Sequence, residues 1–143
     1  MKKNKYFEIV LINTKKEKIF LEKSQINENI YRLPFVVKDK NSDLPENKQL
    51  VELVFKKYHI KIELKDLIFL GKIQREKEEN SIFLIFIEDE LFNQIFEDFV
   101  IFNLSKTIES QNLLEDYLKW LLIMIKYEKV NNIEVFLNYI QDY

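Results

Sequence analysis

The sequence predicts a single α+β domain: a mixed β-sheet sandwich with one helix in mid-chain and more helices toward the carboxy terminus. Three observations carry this. Short apolar or β-branched runs recur at 6–12, 18–21, 67–74 and 81–87, separated by polar links. One amphipathic stretch, 45–58, stands between the second and third of these runs. The chain has 143 residues, 47% hydrophobic, 14% aromatic and 32% charged, which suits one globular domain over 1–143.

The first two runs are joined by Asn13, Thr14, Lys15, Lys16 and Glu17 and read as an antiparallel hairpin. The segment 31–37 is extended, but Pro34 inside it predicts an irregular or edge position. Asp43, Leu44, Pro45 and Glu46 form a helix start, with a polar residue ahead of a proline in the first turn. Leu50, Val51, Val54, Phe55 and Tyr58 share one face of the helix that follows, so that stripe is expected in the core. The runs 67–74 and 81–87 flank a charged link, 75–80, as a second hairpin. Both are almost continuously apolar, which predicts burial on two faces. The segment 99–104 is a further strand candidate, and 113–128 and 133–140 read as closing helices.

Composition excludes several chemistries. With no cysteine and one histidine, thiolate zinc sites, disulfides, cysteine nucleophiles and histidine-rich metal clusters cannot be built. One glycine rules out glycine-rich phosphate loops and nucleophile elbows. A net charge of -2 gives no field to draw in nucleic acid or an anionic membrane, and the Lys2, Lys3 and Lys5 cluster reads as a solvated tip. The most apolar run, 120–125, is six residues long, too short to span a bilayer, and no signal peptide is evident. A cytoplasmic protein is expected.

The order of elements, with the residues that mark it, resembles a Nudix domain. The marks are Tyr31-Arg32-Leu33-Pro34, a polar loop over 38–43, the helix, and a strand opening with Leu70-Gly71. The resemblance is strongest over 6–87, and 105–143 is a helical carboxy-terminal part. The family signature, G-x5-E-x7-R-E-U-x-E-E-x-G-U, closes over 52–60. Glu52 stands at its arginine and Leu53 at the adjoining glutamate. Val54 keeps the aliphatic position, Lys56 and Lys57 take the paired glutamates, His59 the glycine and Ile60 the last aliphatic. Phe35 and Val36 replace a glycine pair. The loop is about two residues longer than usual, which leaves Ser42 or Asp43 near the first glutamate.

In active relatives the helix glutamates hold Mg²⁺ or Mn²⁺ against a diphosphate. Hard cations need oxygen ligands. Leu53, Lys56 and Lys57 fall at i, i+3 and i+4 on one side of the helix. Two ammonium groups there repel a dication, each by about 8 kcal/mol at 4 Å and an effective dielectric near 20, before solvent screening. The resemblance therefore implies a domain without the family's catalysis, with no catalytic residue, no metal and no cofactor. Its expected role is protein interaction, oligomerisation or regulation. Two alternatives stay open: a metal-independent nucleotide or phosphate module using Arg32, Lys38, Lys56 and Lys57, and an atypical pyrophosphohydrolase with a rebuilt site. Acids in the link, Glu76 to Glu79, are a minor metal option.

The bland reading of the altered box is an ordinary helix. Glu52 and Lys56 make an i, i+4 pair, and His59 closes the helix in a left-handed conformation. In the carboxy-terminal helix Leu113, Leu114, Tyr117, Leu118, Leu121, Leu122 and Ile125 form a stripe, and Trp120, Ile123 and Met124 widen it to nearly the full circumference. Tyr117, Trp120, Ile123 and Met124 are interface candidates for a second copy or a protein partner. Internal packing of that second face is the favoured expectation.

Overall fold

The computed structural model describes residues 4–23, 30–74, 77–88, 90, 100–109 and 118–127. Its strands are β1 (Asn4–Asn13), β2 (Lys18–Lys23), β3 (Tyr31–Arg32), β4 (Phe35–Val37), β5 (Ile68–Gln74), β6 (Glu78–Ile87) and β7 (Val100–Asn103). The helices are α1 (Glu46–Tyr58), α2 (Leu104–Glu109) and α3 (Leu118–Lys126), with a 3₁₀ turn at Leu64–Asp66.

The strands form one mixed sheet, ordered β3-β2-β1-β6-β5, with β4 also on β1 and β7 on β2. The central pair, β1 and β6, is parallel from Asn4↔Glu78 to Asn13↔Ile87. Side chains alternate along it. Phe7, Ile9 and Leu11 of β1 join Phe83 and Ile85 of β6 under Leu50, Val54 and Tyr58 of α1. Val10 and Ile12 join Ile82 and Leu84 under Leu121, Leu122 and Ile125 of α3. The sheet is buried on both faces between α1 and α3, as the continuous apolar runs predict.

The turns follow from single residues. The Asn13 side-chain oxygen accepts the N–H groups of Glu17 and Lys18, both at 2.8 Å, and so ties the β1–β2 hairpin. Pro34 splits the predicted 31–37 strand: β3 pairs with β2 and β4 with β1, because proline cannot continue a ladder. The one glycine, Gly71, has φ 146° at a bulge where the β5–β6 register jumps between Phe69 and Gly71. Gly71→Ala is expected to lower stability by roughly 1–3 kcal/mol, read as a fall in the urea midpoint at unchanged m.

Four expectations are corrected or bounded. The start of α1 has no side-chain cap: Pro45 itself is the N-cap, and the predicted polar cap at Asp43 makes no such bond. Phe55 is 53% exposed rather than core, and Val51 is half-buried. Leu53 packs against the core cluster instead, because the buried arc centres on Leu50 and Val54. The 99–104 strand stops at Asn103, whose side-chain oxygen accepts the Lys106 N–H at 3.0 Å and starts α2. Tyr117, the side chains of Trp120 and Met124, and the 133–140 helix lie outside the described residues, while Ile123 is half-buried.

Candidate functional site

The site is built where the end of α1 meets β3 and β4. Three turns of α1 place Leu50, Val54 and Tyr58 on the sheet, so the altered box residues follow by helical geometry. Leu53 leans on the core cluster, and Lys56 is exposed. Lys57 reaches across to β4. Its ammonium donates to the Phe35 carbonyl at 2.7 Å and lies 4.0 Å from the Phe35 ring centroid and 5.0 Å from that of Tyr58. The helix then closes on His59 at φ 60°, ψ 28°, whose N–H donates to the Phe55 carbonyl. That is the left-handed closure expected of the histidine.

Tyr58 is the second tie between α1 and β4. Its hydroxyl oxygen accepts the Phe35 N–H at 3.1 Å and sits 2.9 Å from the Phe35 carbonyl and 3.2 Å from Glu22 Oε2. One hydroxyl proton serves one of those two acceptors at a time. Burial, and next the negative charge of Glu22, push the Tyr58 phenol up from its ordinary value. It therefore remains a neutral donor at any physiological pH.

Arg32 approaches Phe35 from β3, its guanidinium carbon 3.9 Å from the ring centroid. Its Nη2 lies 3.4 Å from Glu8 Oε1, and the same oxygen accepts from Asn80 Nδ2 at 3.2 Å. Glu8 and Asn80 are buried on the α3 side of the sheet. Arg32 Nε and Asn80 Oδ1 are also buried and find no hydrogen-bond partner among the described residues. The pair is thus enclosed but loosely made.

The four predicted ligand residues do not converge. Arg32 and Lys57 meet at Phe35, while Lys56 faces solvent. Lys38 sits near the opposite end of α1, paired with Glu46 in a separate cleft. Among the described residues, no group of three or more His, Cys, Asp or Glu side chains gathers as a metal site. At the box turn a divalent cation does not fit, since Leu53 offers no oxygen and an ammonium already contacts the Phe35 carbonyl.

Three participants were not legible as site residues. Glu8 is a lone acid in an apolar strand, which is a usable signal. Glu22 and Asn80 carry none, because their partners are 36 and 72 positions away.

No protein-family model matches the sequence, and no curated protein matches it. Solved structures do. A mutT/nudix family protein from Listeria innocua superposes with TM-score 0.63 at 12% identity, covering 92% of this chain and 96% of that one. The fold is Nudix-like. A MutT/nudix family protein from Enterococcus faecalis gives TM-score 0.54 at 16% identity. The match covers 72% of this chain but spans only 44% of that longer protein. A chain in the complex between the C-terminal domain of mouse MUTYH and human PCNA gives 0.59 at 11% identity, covering 91% and 90%. At these identities the likeness concerns the fold alone. No described helix is long and apolar enough to cross a membrane.

Proposed function

We propose that this Nudix-like domain has given up metal-dependent diphosphate hydrolysis and works by binding, as a protein-interaction, oligomerisation or regulatory module. The observation that supports this most is the Lys57 ammonium, which stands at a box glutamate position and bonds the Phe35 carbonyl at 2.7 Å. A cation in that place, exposed but tied to β4, serves the fold and repels a dication. Leu53, at a second glutamate position, is spent on core packing. The interaction reading gains support from the MUTYH–PCNA complex, in which a chain of similar fold belongs to a protein–protein assembly. Phe55 and Val37, 53% and 58% exposed, supply apolar surface on α1 and β4.

Two measurements test it together. Purified protein with Mg²⁺ or Mn²⁺ is expected to release no product from a broad panel of nucleoside diphosphate derivatives. Light scattering is expected to report a mass above the monomer, or a defined complex with a protein partner. Metal-dependent turnover would overturn the loss of chemistry; a clean monomer with no partner would overturn the interaction role.

A further inference from the structure

We infer that the polar cluster of Glu8, Arg32 and Asn80 is a binding site for an internal water molecule, which links β3 to β6 beside the Glu8 carboxylate. Two buried atoms carry the inference. Arg32 Nε is a donor and Asn80 Oδ1 an acceptor, and neither has a hydrogen-bond partner among the described residues. Asn80 is only 2% exposed, so bulk solvent does not serve its oxygen.

The two atoms belong to one place. The register of the parallel pair sets Asn80 opposite Tyr6 and Ile82 opposite Glu8, so Glu8 and Asn80 are diagonal neighbours on one face. Glu8 Oε1 gathers both side chains, with Arg32 Nη2 at 3.4 Å and Asn80 Nδ2 at 3.2 Å. A guanidinium is a rigid planar fork, and an amide carries its oxygen beside its nitrogen. Arg32 Nε and Asn80 Oδ1 therefore each lie one bond angle from an atom that meets the same carboxylate oxygen. Glu8 also fixes which way the amide points, since a flipped Asn80 sets its oxygen against a carboxylate. Arg32 is held as well, its guanidinium carbon 3.9 Å from the Phe35 ring centroid.

The chemistry of these atoms selects the ligand. It must accept from the Arg32 Nε–H and donate to Asn80 Oδ1. A metal cation suits the amide oxygen but meets the guanidinium. An anion suits Nε but meets the Glu8 carboxylate and the amide oxygen. A neutral group with a lone pair and a proton suits both atoms, and water is the smallest such group. Both contacts to Glu8 Oε1 are long for charge-assisted hydrogen bonds, so direct pairing leaves the cluster with capacity to spare. The bound water closes a ring of polar contacts through β1, β3 and β6, and it does not depend on whether the domain binds a partner or hydrolyses anything.

The test is a pair of water-selective NOE and ROE spectra of the whole ¹⁵N-labelled chain, read at the Arg32 Nε–H. A water held by the protein gives NOE and ROE peaks of opposite sign, whereas proton exchange with solvent gives the same sign. Opposite signs are expected for the natural chain. Asn80→Leu removes the acceptor and is expected to abolish the held-water peak at the Arg32 Nε–H. Arg32→Lys keeps the cation but removes Nε, and is expected to abolish the held-water peak at the Asn80 side-chain amide. The natural chain decides alone if neither variant folds. Exchange peaks only, or no peak, in the natural chain would overturn the proposal, as would a held-water peak that persists in every variant that folds.

Discussion

Substituting Arg32 by alanine is expected to lower the stability of the domain by about 3 kcal/mol, the largest single-residue loss at this site. The reason is what the substitution leaves behind. Glu8 is 3% exposed, and the Arg32 guanidinium lies within salt-bridge distance of it at 3.4 Å. Asn80 donates one hydrogen bond to the same carboxylate, which does not neutralise it. Removing the guanidinium takes a cation from beside a buried carboxylate and from the face of the Phe35 ring. The loose geometry predicts an asymmetry. Arg32→Met combined with Glu8→Leu removes both charges and is expected to lose less than Arg32→Ala alone. Urea denaturation of the natural chain and the two variants checks this. A loss below about 0.5 kcal/mol for Arg32→Ala would mean that Glu8 is solvated or protonated.

Lys57→Glu is expected to lose about 1 kcal/mol in metal-free buffer, since the group is solvent-exposed. A charge-assisted hydrogen bond to the Phe35 carbonyl disappears, with the two ring contacts, and a carboxylate takes the place of a cation beside a carbonyl oxygen. The variant carrying Leu53→Glu, Lys56→Glu and Lys57→Glu should lose more, since Leu53 also leaves the core cluster. Its loss is expected to be conditional. Three carboxylates on one turn make a hard-cation site, so Mn²⁺ should raise the melting temperature of the triple variant and leave the natural chain unmoved. At a hundredfold excess over Kd the recovery approaches about 2.7 kcal/mol. A triple variant equally unstable with and without Mn²⁺ would show that this turn cannot be made into a metal site by side chains alone.

What the sequence discloses depends on how local the cause is. The two hairpins, the buried double face of β6 and the left-handed closure at His59 follow from patterns within a few residues. The position of Gly71 belongs with them, since only glycine suits its φ. Phe55 misleads because a five-residue stripe spans more arc than α1 buries, and the sheet's position chooses which edge stays wet. Asp43 misleads because capping depends on the approach of the loop, and here Asp39 and Gln49 anchor it instead. The cation cluster at Phe35 joins residues from β3, β4 and α1, so no spacing rule reveals it. Lys57 is a special case. Its position in the box is legible, but its bond to Phe35 appears only once β4 is seen to lie beside the helix end.

Paramagnetic broadening by Mn²⁺ in the ¹H–¹⁵N spectrum of the natural chain probes the cation seat itself. With the Lys57 ammonium bonded to Phe35, stoichiometric Mn²⁺ should leave the amides of Phe35, Leu53, Lys56 and Lys57 as sharp as those of the central strands. Selective loss of those four signals, reversed by a chelator, would place a divalent ion where this account puts an ammonium and would contradict it.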